Sequence, residues 1–296
     1  MRSGGSDPGH ELGPVINDKE SPSGIGSAPN SSNRKKRPIV NLITLTSDFG
    51  TSDGFVGQMK GVILGIYPTA AVVDVTHDIS PFSILQGALV IKGTSRYFPA
   101  GTIHLAVVDP GVGSSRRAVA LRSDGQYYVG PDNGLFSLVI TQASFWEMRE
   151  IDNPDLILPR RAATFHGRDV FAPVAAHLAA GVPFSEIGRP VVDPVMLQVP
   201  VPARIQRGIS GEVVYVDRFG NCSSNIETAH LQSVVASVEI ANIKIIGIKS
   251  YFGQVPKGAP LAYVNSFGFL EVAVNQGDAA QSLGVRLGDR VTVRWD

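Results

Sequence analysis

The segment HLAVVDPGVGSSRR, His104 to Arg117, runs an apolar stretch into an acid, a Pro-Gly-Val-Gly turn and two arginines. Asp109 closes the stretch, Pro110 fixes the backbone, and Gly111 and Gly113 permit dihedrals or close approaches that a side chain would block. Arg116 returns toward the acid with a permanently charged fork. An acid and a guanidinium across such a turn either hold and polarise a small polar molecule or brace the turn as a structural pair. A second constellation, TFHGRDVFAP from Thr164 to Pro173, sets His166 before a glycine and an Arg-Asp pair. A helix is expected to start there, and its free N–H groups favour anionic or polar ligands.

A third stretch, SDFGTSDG from Ser47 to Gly54, holds Asp48 and Asp53 in a glycine-bearing turn. An ionised carboxylate only accepts hydrogen bonds, and the adjacent hydroxyls of a ribose diol supply two. Helix N-capping by Ser52 or Asp53 is compatible with the same turn. Toward the C-terminus, VDRFGNCSSN places Asp217 and Asn221 in a loop leaving a strand, and VNSFGFLEVAVN offers Asn265, Ser266 and Phe267. Hairpin turn chemistry explains these residues, but Asp217 toward an ammonium and Asn221 toward a carboxylate would also suit an amino-acid moiety.

Other motifs carry less. Gly50-x-Ser52-x-Gly54 matches a nucleophile elbow, and the order Ser52, Asp109, His166 suits a serine hydrolase. The serine lies in an acid-rich loop after the first strand, however, and no HGGG-type segment accompanies it. Neither a P-loop nor a dinucleotide fingerprint is present. Asp74, His77 and Asp78 stand without an H-x-x-x-H or a cysteine pair, so no metal is expected. The lone Cys222 rules out an internal disulfide and fits a reducing compartment, the cytoplasm.

The elements that must position these residues alternate. IVNLITLT reads as a buried strand, and Val56, Met59, Val62, Ile63 and Ile66 recur at helical spacing until Pro68. AAVVDVTH is a second strand, SPFSILQGALVIKGTSRYF a second helix and GTIHLAVVD a third strand, a pattern of parallel pairing through right-handed crossovers. Ligands bind such sheets at the carboxyl ends of the strands, so Asp48, His77, Asp78 and Asp109 are expected on one rim. RAVALRS and QYYVG should form a hairpin over Asp124-Gly125, and a helix from about Asp169 should stop at Gly181. RPVVDPVMLQVPVP, with four prolines, reads as a linker; the remainder is strand-like apart from a short helix at DAAQSLG.

The expectation is an α/β fold: an N-terminal Rossmann-like parallel-sheet domain (38–190), a linker (191–206) and a smaller β-barrel-like C-terminal domain (207–296). Residues 1–37 are rich in Gly, Ser, Pro and Asn and read as a disordered tail without a secretory h-region. Their basic run, Arg34 to Arg37, has the composition of a nuclear address but reads as solvated tail. Lys+Arg and Asp+Glu balance at 26 each, so no net field attracts nucleic acid or an anionic membrane. No apolar run approaches the ~20 residues of a membrane helix.

LTSDFGTSDGFVGQMKG, VVDVTHDISPFSILQGA, YFPAGTIHLAVVDPGVGSSRRAVA, GPDNGLFS, TFHGRDVFAPVAAHLAAG and VDRFGNCSSN occur in the order found in the S-adenosyl-L-methionine (SAM) hydroxide adenosyltransferases. The chain resembles these SAM hydrolases, relatives of the SAM-dependent fluorinase and chlorinase, from Ile39 to Trp295. The resemblance implies a homotrimer with SAM bound between the N-terminal domain of one subunit and the C-terminal domain of its neighbour. It implies a water-activating set on Asp109, Arg116 and His166. It puts the ribose diol on Asp48, the adenosine pocket partly on Phe82 and the methionine end on Asp217, Asn221 and Ser266. Asp53, Asn133 and Gly167, in the same motifs, and Phe267, in VNSFGFLEVAVN, complete the expected substrate-binding set. SAM is the substrate, and no cofactor is expected.

Where the fluorinase has a tyrosine before the turn proline this chain has Asp109, and where it has a serine after its TFY triplet this chain has Gly167. Its arginine after the C-terminal serine is Phe267 here. Charge at the nucleophile pocket opposes a halide and suits water. Hydrolysis to adenosine and L-methionine is therefore expected, with Asp109 and His166 orienting or accepting the proton of water and Arg116 stabilising the developing hydroxide. A SAM-dependent halogenase and a non-catalytic SAM or adenosine sensor are the alternatives.

Overall fold

A computed structural model describes residues 41–159, 163–231 and 234–295; the expected 1–37 tail and its basic run lie outside them. The N-terminal domain is built on a seven-stranded sheet. Its elements are β1 (Leu42–Ser47), α1 (Phe55–Ile66), β2 (Ala71–Thr76), α2 (Ile84–Ser95), β3 (Ile103–Val107), β4 (Ala118–Ser123), β5 (Gln126–Pro131), α3 (Ser137–Ile140), β6 (Trp146–Glu150), α4 (Ala172–Ala179) and β7 (Pro190–Val191).

The strand order is β2-β1-β3-β5-β4-β6-β7. β2, β1, β3 and β5 run parallel, and β4, β6 and β7 extend the sheet antiparallel. The sheet is therefore mixed. Its second half is meander-like because the hairpin at Asp124-Gly125 returns the chain without a helical crossover; both turn residues have positive φ, +44° and +83°. α1 and α4 pack Val56, Met59, Ile63, Val174 and Ala175 on one face against Ile43, Leu45 and Leu105. α2 and α3 cover the other face through Val90, Ile91 and Ile140. All six residues of β1 are buried, as a central strand covered on both faces requires. β2 is apolar yet largely exposed, because it is the sheet edge.

The C-terminal domain comprises β8 (Ala203–Ile205), β9 (Gly208–Val216), β10 (Cys222–Glu227), β11 (Ser237–Ile240), β12 (Ile243–Ile246), β13 (Pro260–Val264), β14 (Phe269–Val274), α5 (Ala279–Leu283) and β15 (Arg290–Arg294). The strands are antiparallel in the order β12-β11-β15-β9-β10-β14-β13, with β8 beside β9. The end strands β12 and β13 touch, so the sheet nearly closes into a barrel around Ile209, Val213, Val238, Leu270, Val272 and Val293. α5 is set by its ends: Asp278 caps Gln281 N–H and Gly284 turns left-handed at φ +68°.

The proline-rich stretch is anchored, not a free linker. It starts as β7, Arg117 reaches Asp193 at 2.7 Å, and Leu197 N–H bonds Ser137 Oγ at 2.7 Å. α2 joins the domains: Leu89 packs on Val214 and Phe269, and Lys92 pairs with Glu227 at 3.2 Å.

Candidate active site

The parallel strands end on one rim, as their order requires. Ser47 of β1 pairs in register with Val107 of β3, so Asp48 and the Val108–Asp109 step leave the sheet side by side. The Asp109 turn is tight: Val112 N–H bonds Asp109 O, Ser114 N–H bonds Gly111 O, and Gly113 adopts φ +82°. Asn133, leaving β5, donates its amide to Val108 O at 2.9 Å and thereby braces the strand end.

The turn brings Arg116 back onto Asp109. Nε approaches Oδ1 at 2.9 Å and Oδ2 at 3.1 Å, and Nη2 also bonds Oδ2. The same Nη2 lies 2.7 Å from His166 Nδ1. Arginine only donates, so Nδ1 accepts and the ring carries its proton on Nε2. Phe171 supports the group from below, its ring 5.3 Å from the Arg116 guanidinium and edge-on to His166. The side chains of Asp109 and Arg116 are 4% and 9% exposed.

His166 owes its position to one π-helical turn, Gly167–Phe171, that precedes α4. The helix therefore starts before Asp169, and the extra residue of the π turn brings His166 to its cap; such turns recur at functional sites. Asp109 and His166 line a cavity of about 240 Å³ with Phe49, Phe55, Val107, Val112, Thr164, Phe165 and Gly167. Arg116 is not part of that wall and stands behind both partners. Phe49, Phe55 and Phe165 pack at 5.3 to 6.0 Å between centroids, giving the cavity an aromatic side.

Asp48 is half-buried and its Oδ2 accepts Phe82 N–H at 2.9 Å. Phe82 has φ +68° and an exposed ring. Asp53 is exposed and outside the cavity wall, and α1 begins at Phe55 after an N-cap Gly54 with no side-chain cap, so neither Ser52 nor Asp53 caps it. Ser52 is exposed, and Asp109 and His166 both meet Arg116, so no serine-hydrolase triad assembles. No cluster of three or more metal-ligating side chains occurs among the described residues.

Asp217 organises the second cluster. Its carboxylate accepts Phe219 N–H, Asn221 N–H and Asn221 Nδ2–H at 2.8 to 2.9 Å. Both residues line a cavity of about 750 Å³ with Phe219, Phe252, Tyr263 and Asp278. Ser266 is exposed, its carbonyl accepting Arg96 Nη2 at 3.0 Å. Phe267 instead packs against Gly93 of α2, where a Cβ would lie 2.6 Å from its ring. The two cavities share no lining residue.

Sequence reasoning missed the aromatic wall, although Phe49 and Phe165 sit inside the SDFG and TFHG stretches. It also missed buried Glu271, which accepts from Ser223, Tyr263 and Asn265 behind the Asp217 cavity. Burial and Glu271 push the Tyr263 phenol well above its ordinary range. Burial pushes the Cys222 thiol up to about 12, which leaves it inert.

Residues 43–188 match the family model of the SAM hydroxide adenosyltransferase N-terminal domain and residues 211–292 that of the C-terminal domain. A protein of Salinispora arenicola named (R)-S-adenosyl-L-methionine hydrolase is 43% identical over 255 residues, 85% of this chain and 97% of the relative. A fluorinase of an Actinoplanes species is 31% identical over 290 residues, 85% of this chain and 97% of the relative. The crystal structure of an uncharacterized conserved protein from Thermotoga maritima superposes with a TM-score of 0.80 at 38% identity, covering 86% of this chain and all of that one.

Proposed function

The chain belongs to the SAM hydroxide adenosyltransferase family, and from that premise we propose that it hydrolyses SAM to adenosine and L-methionine by attack of water on C5′. The observation that carries this reading is the cavity wall shared by Asp109 and His166, with Arg116 locked behind both. The oxygen of water bonds to C5′ as the C5′–S bond breaks, and the bonding pair stays on sulfur as the neutral thioether of methionine. No general acid is needed for that departure. The attacking water sheds one proton.

Asp109 orients the water and accepts that proton, and His166 positions it from the side. Arg116 supplies its charge through these two groups. Positioned proton transfer contributes roughly 10²–10⁴-fold, and in-line alignment in a closed pocket supplies further acceleration. An acidic group at the wall with its cation behind repels a halide and attracts the sulfonium. Asp48 with Phe82 takes the ribose and adenine side, and Asp217, Asn221 and Ser266 the methionine end. Asn133 supports the Asp109 turn, and Gly167 keeps the cavity open.

Two features support a homotrimer with each site shared between neighbours. The Asp109 and Asp217 cavities are separate within one chain. Leu64 is 44% exposed on the open face of α1, where Gly57, Gly61 and Gly65 meet nothing within 4 Å, and Val73 of the edge strand β2 is 40% exposed on the opposite face of the sheet. The domain boundary falls along the strap 191–206, whose first residue closes β7 and whose Ala203–Ile205 already pair with β9. The single buried cysteine suits the cytoplasm, and among the described residues no helix is long and apolar enough to cross a membrane.

The test is chromatography of protein incubated separately with (R)- and (S)-SAM, with and without chloride or fluoride. Adenosine and methionine at a halide-independent rate are expected. Halide-dependent 5′-halo-adenosine, as a fluorinase-like pocket would give, or SAM retained intact would overturn the reading.

A further inference from the structure

Behind the rim, a polar chain that the hydrolytic mechanism leaves unused runs from the buried Ser47 and His77 out to Asp74 and Lys60, which are partly exposed. His77 Nδ1 lies 2.8 Å from Ser47 Oγ, and both residues are almost wholly buried. His77 Nε2 lies 3.1 Å from Asp74 Oδ1, at ion-pair distance but off hydrogen-bond alignment, and Asp74 Oδ2 accepts Lys60 Nζ of α1 at 2.6 Å. A carboxylate at Nε2 favours the ring proton there, which leaves Nδ1 to accept the Ser47 hydroxyl proton.

The lone pairs of Ser47 Oγ then remain for Phe49 N–H, which approaches at 3.3 Å. The composition is that of a nucleophilic triad, yet Ser47 is 1% exposed and cannot meet a substrate.

The histidine also holds the far end of the same loop, since its carbonyl accepts Gly50 N–H at 2.8 Å, where Gly50 has φ +66°. Ile79 N–H bonds Ser47 O. The four residues from Ser47 to Gly50 are thus clamped between the ends of β1 and β2. Two of them reach the site: Asp48 bonds Phe82 N–H, and the Phe49 ring walls the Asp109 cavity.

We propose that His77 is a positioning residue for SAM binding, setting the height of Asp48 and Phe49 through Ser47. The inference rests on the SAM-hydrolase reading. Asp48 would meet the ribose diol before and during reaction alike, so displacing it weakens binding more than chemistry.

The variants are His77→Leu, His77→Asn, whose amide oxygen can replace Nδ1, and Ser47→Ala, which removes only the hydroxyl. His77→Leu and Ser47→Ala are each expected to raise KM for SAM about ten-fold, the scale of one lost buried hydrogen bond, with kcat changed less than about three-fold. His77→Asn should restore KM to within about three-fold of the wild type. The double variant should be no worse than either single one, since both cut the same link. KM unchanged in folded Ser47→Ala, KM for His77→Asn raised as far as for His77→Leu, multiplicative losses in the double variant, or kcat falling as far as KM rises would overturn the proposal while leaving hydrolysis intact. Should the wild type not turn SAM over, calorimetric titration with adenosine reads the same loop. A ten-fold weaker Kd in Ser47→Ala supports the clamp; equal Kd values, or no adenosine binding by the wild type, overturn it.

Discussion

Arg116 divides one fork between two partners, Asp109 through Nε and Nη2 and His166 through Nη2 alone. A lysine carries the charge but is a compact donor that cannot hold both planar groups. Arg116→Lys is therefore expected to lower kcat about 10²-fold, the scale of one lost preorganised electrostatic contact, with KM within a few-fold of the wild type in steady-state assays. Equal losses in kcat/KM and KM at constant kcat would make the trio a binding device. Gly167 gives a second prediction. A Cβ there would stand 3.2 Å from Met59 Sδ and the Phe165 ring and 3.3 Å from the Phe49 ring, so alanine must push those groups by tenths of an ångström. Gly167→Ala should lower kcat/KM about ten-fold, because small misplacements near a reacting centre are costly; an unchanged value would mean the wall yields away from the cavity. The types and spacing of Asp109, Arg116 and His166 were legible in the chain. That Arg116 lies outside the cavity wall was not, because Phe171 reaches beneath it only through the π turn, an extra residue that hydrophobic periodicity does not register.

At the scale of elements, β3 carries a histidine that serves the fold. His104 is buried, stacked at 5.0 Å on Tyr128, and bonded to Thr44 Oγ1 at 2.8 Å and Gln126 Oε1 at 3.3 Å. Burial pushes its pKa from 6.5 down to about 4. The unfolded chain therefore binds more protons between these values, so the contribution is complete above pH 6.5 and is lost as pH falls toward 4. A shift of this size corresponds to about 3 kcal/mol. Denaturant unfolding of the wild type from pH 7 to 4.5 should show that decline, and His104→Leu should flatten it relative to the wild type; parallel profiles would remove His104 as the cause. The strand-helix alternation disclosed the parallel half of the sheet, and Asp124-Gly125 disclosed the hairpin. The edge position of β2 was hidden because AVVDVT reads the same at an edge as in the centre. The anchoring of 191–206 was hidden because it rests on single side chains, Asp132, Ser137 and Arg117, distant in sequence.

For the whole molecule, the separation of the two cavities decides how activity should respond to mixing. If one subunit gives Asp109 and its neighbour Asp217, a site fails when either residue is lost from the relevant chain, and it works when the two defects fall in the wrong places to meet. Take Asp109→Asn subunits and Asp217→Ala subunits, each nearly inactive alone. In a cyclic trimer assembled at random from equal amounts, a site is intact when an Asp217→Ala chain supplies the N-terminal half and an Asp109→Asn chain the C-terminal half. Each choice has even odds, so about a quarter of all sites are intact, and about one in three in the mixed trimers, whatever the direction around the ring. Co-expressed variants carrying distinguishable tags, purified through both, should recover SAM hydrolysis at a sizeable fraction of the wild-type rate. Sites completed within one chain contain one defect in every subunit, and mixing then restores nothing. Light scattering on the same samples fixes the subunit count. A monomer that hydrolyses SAM at the full rate would require the open face of α1 to serve some other contact and would place both halves of the substrate within one chain.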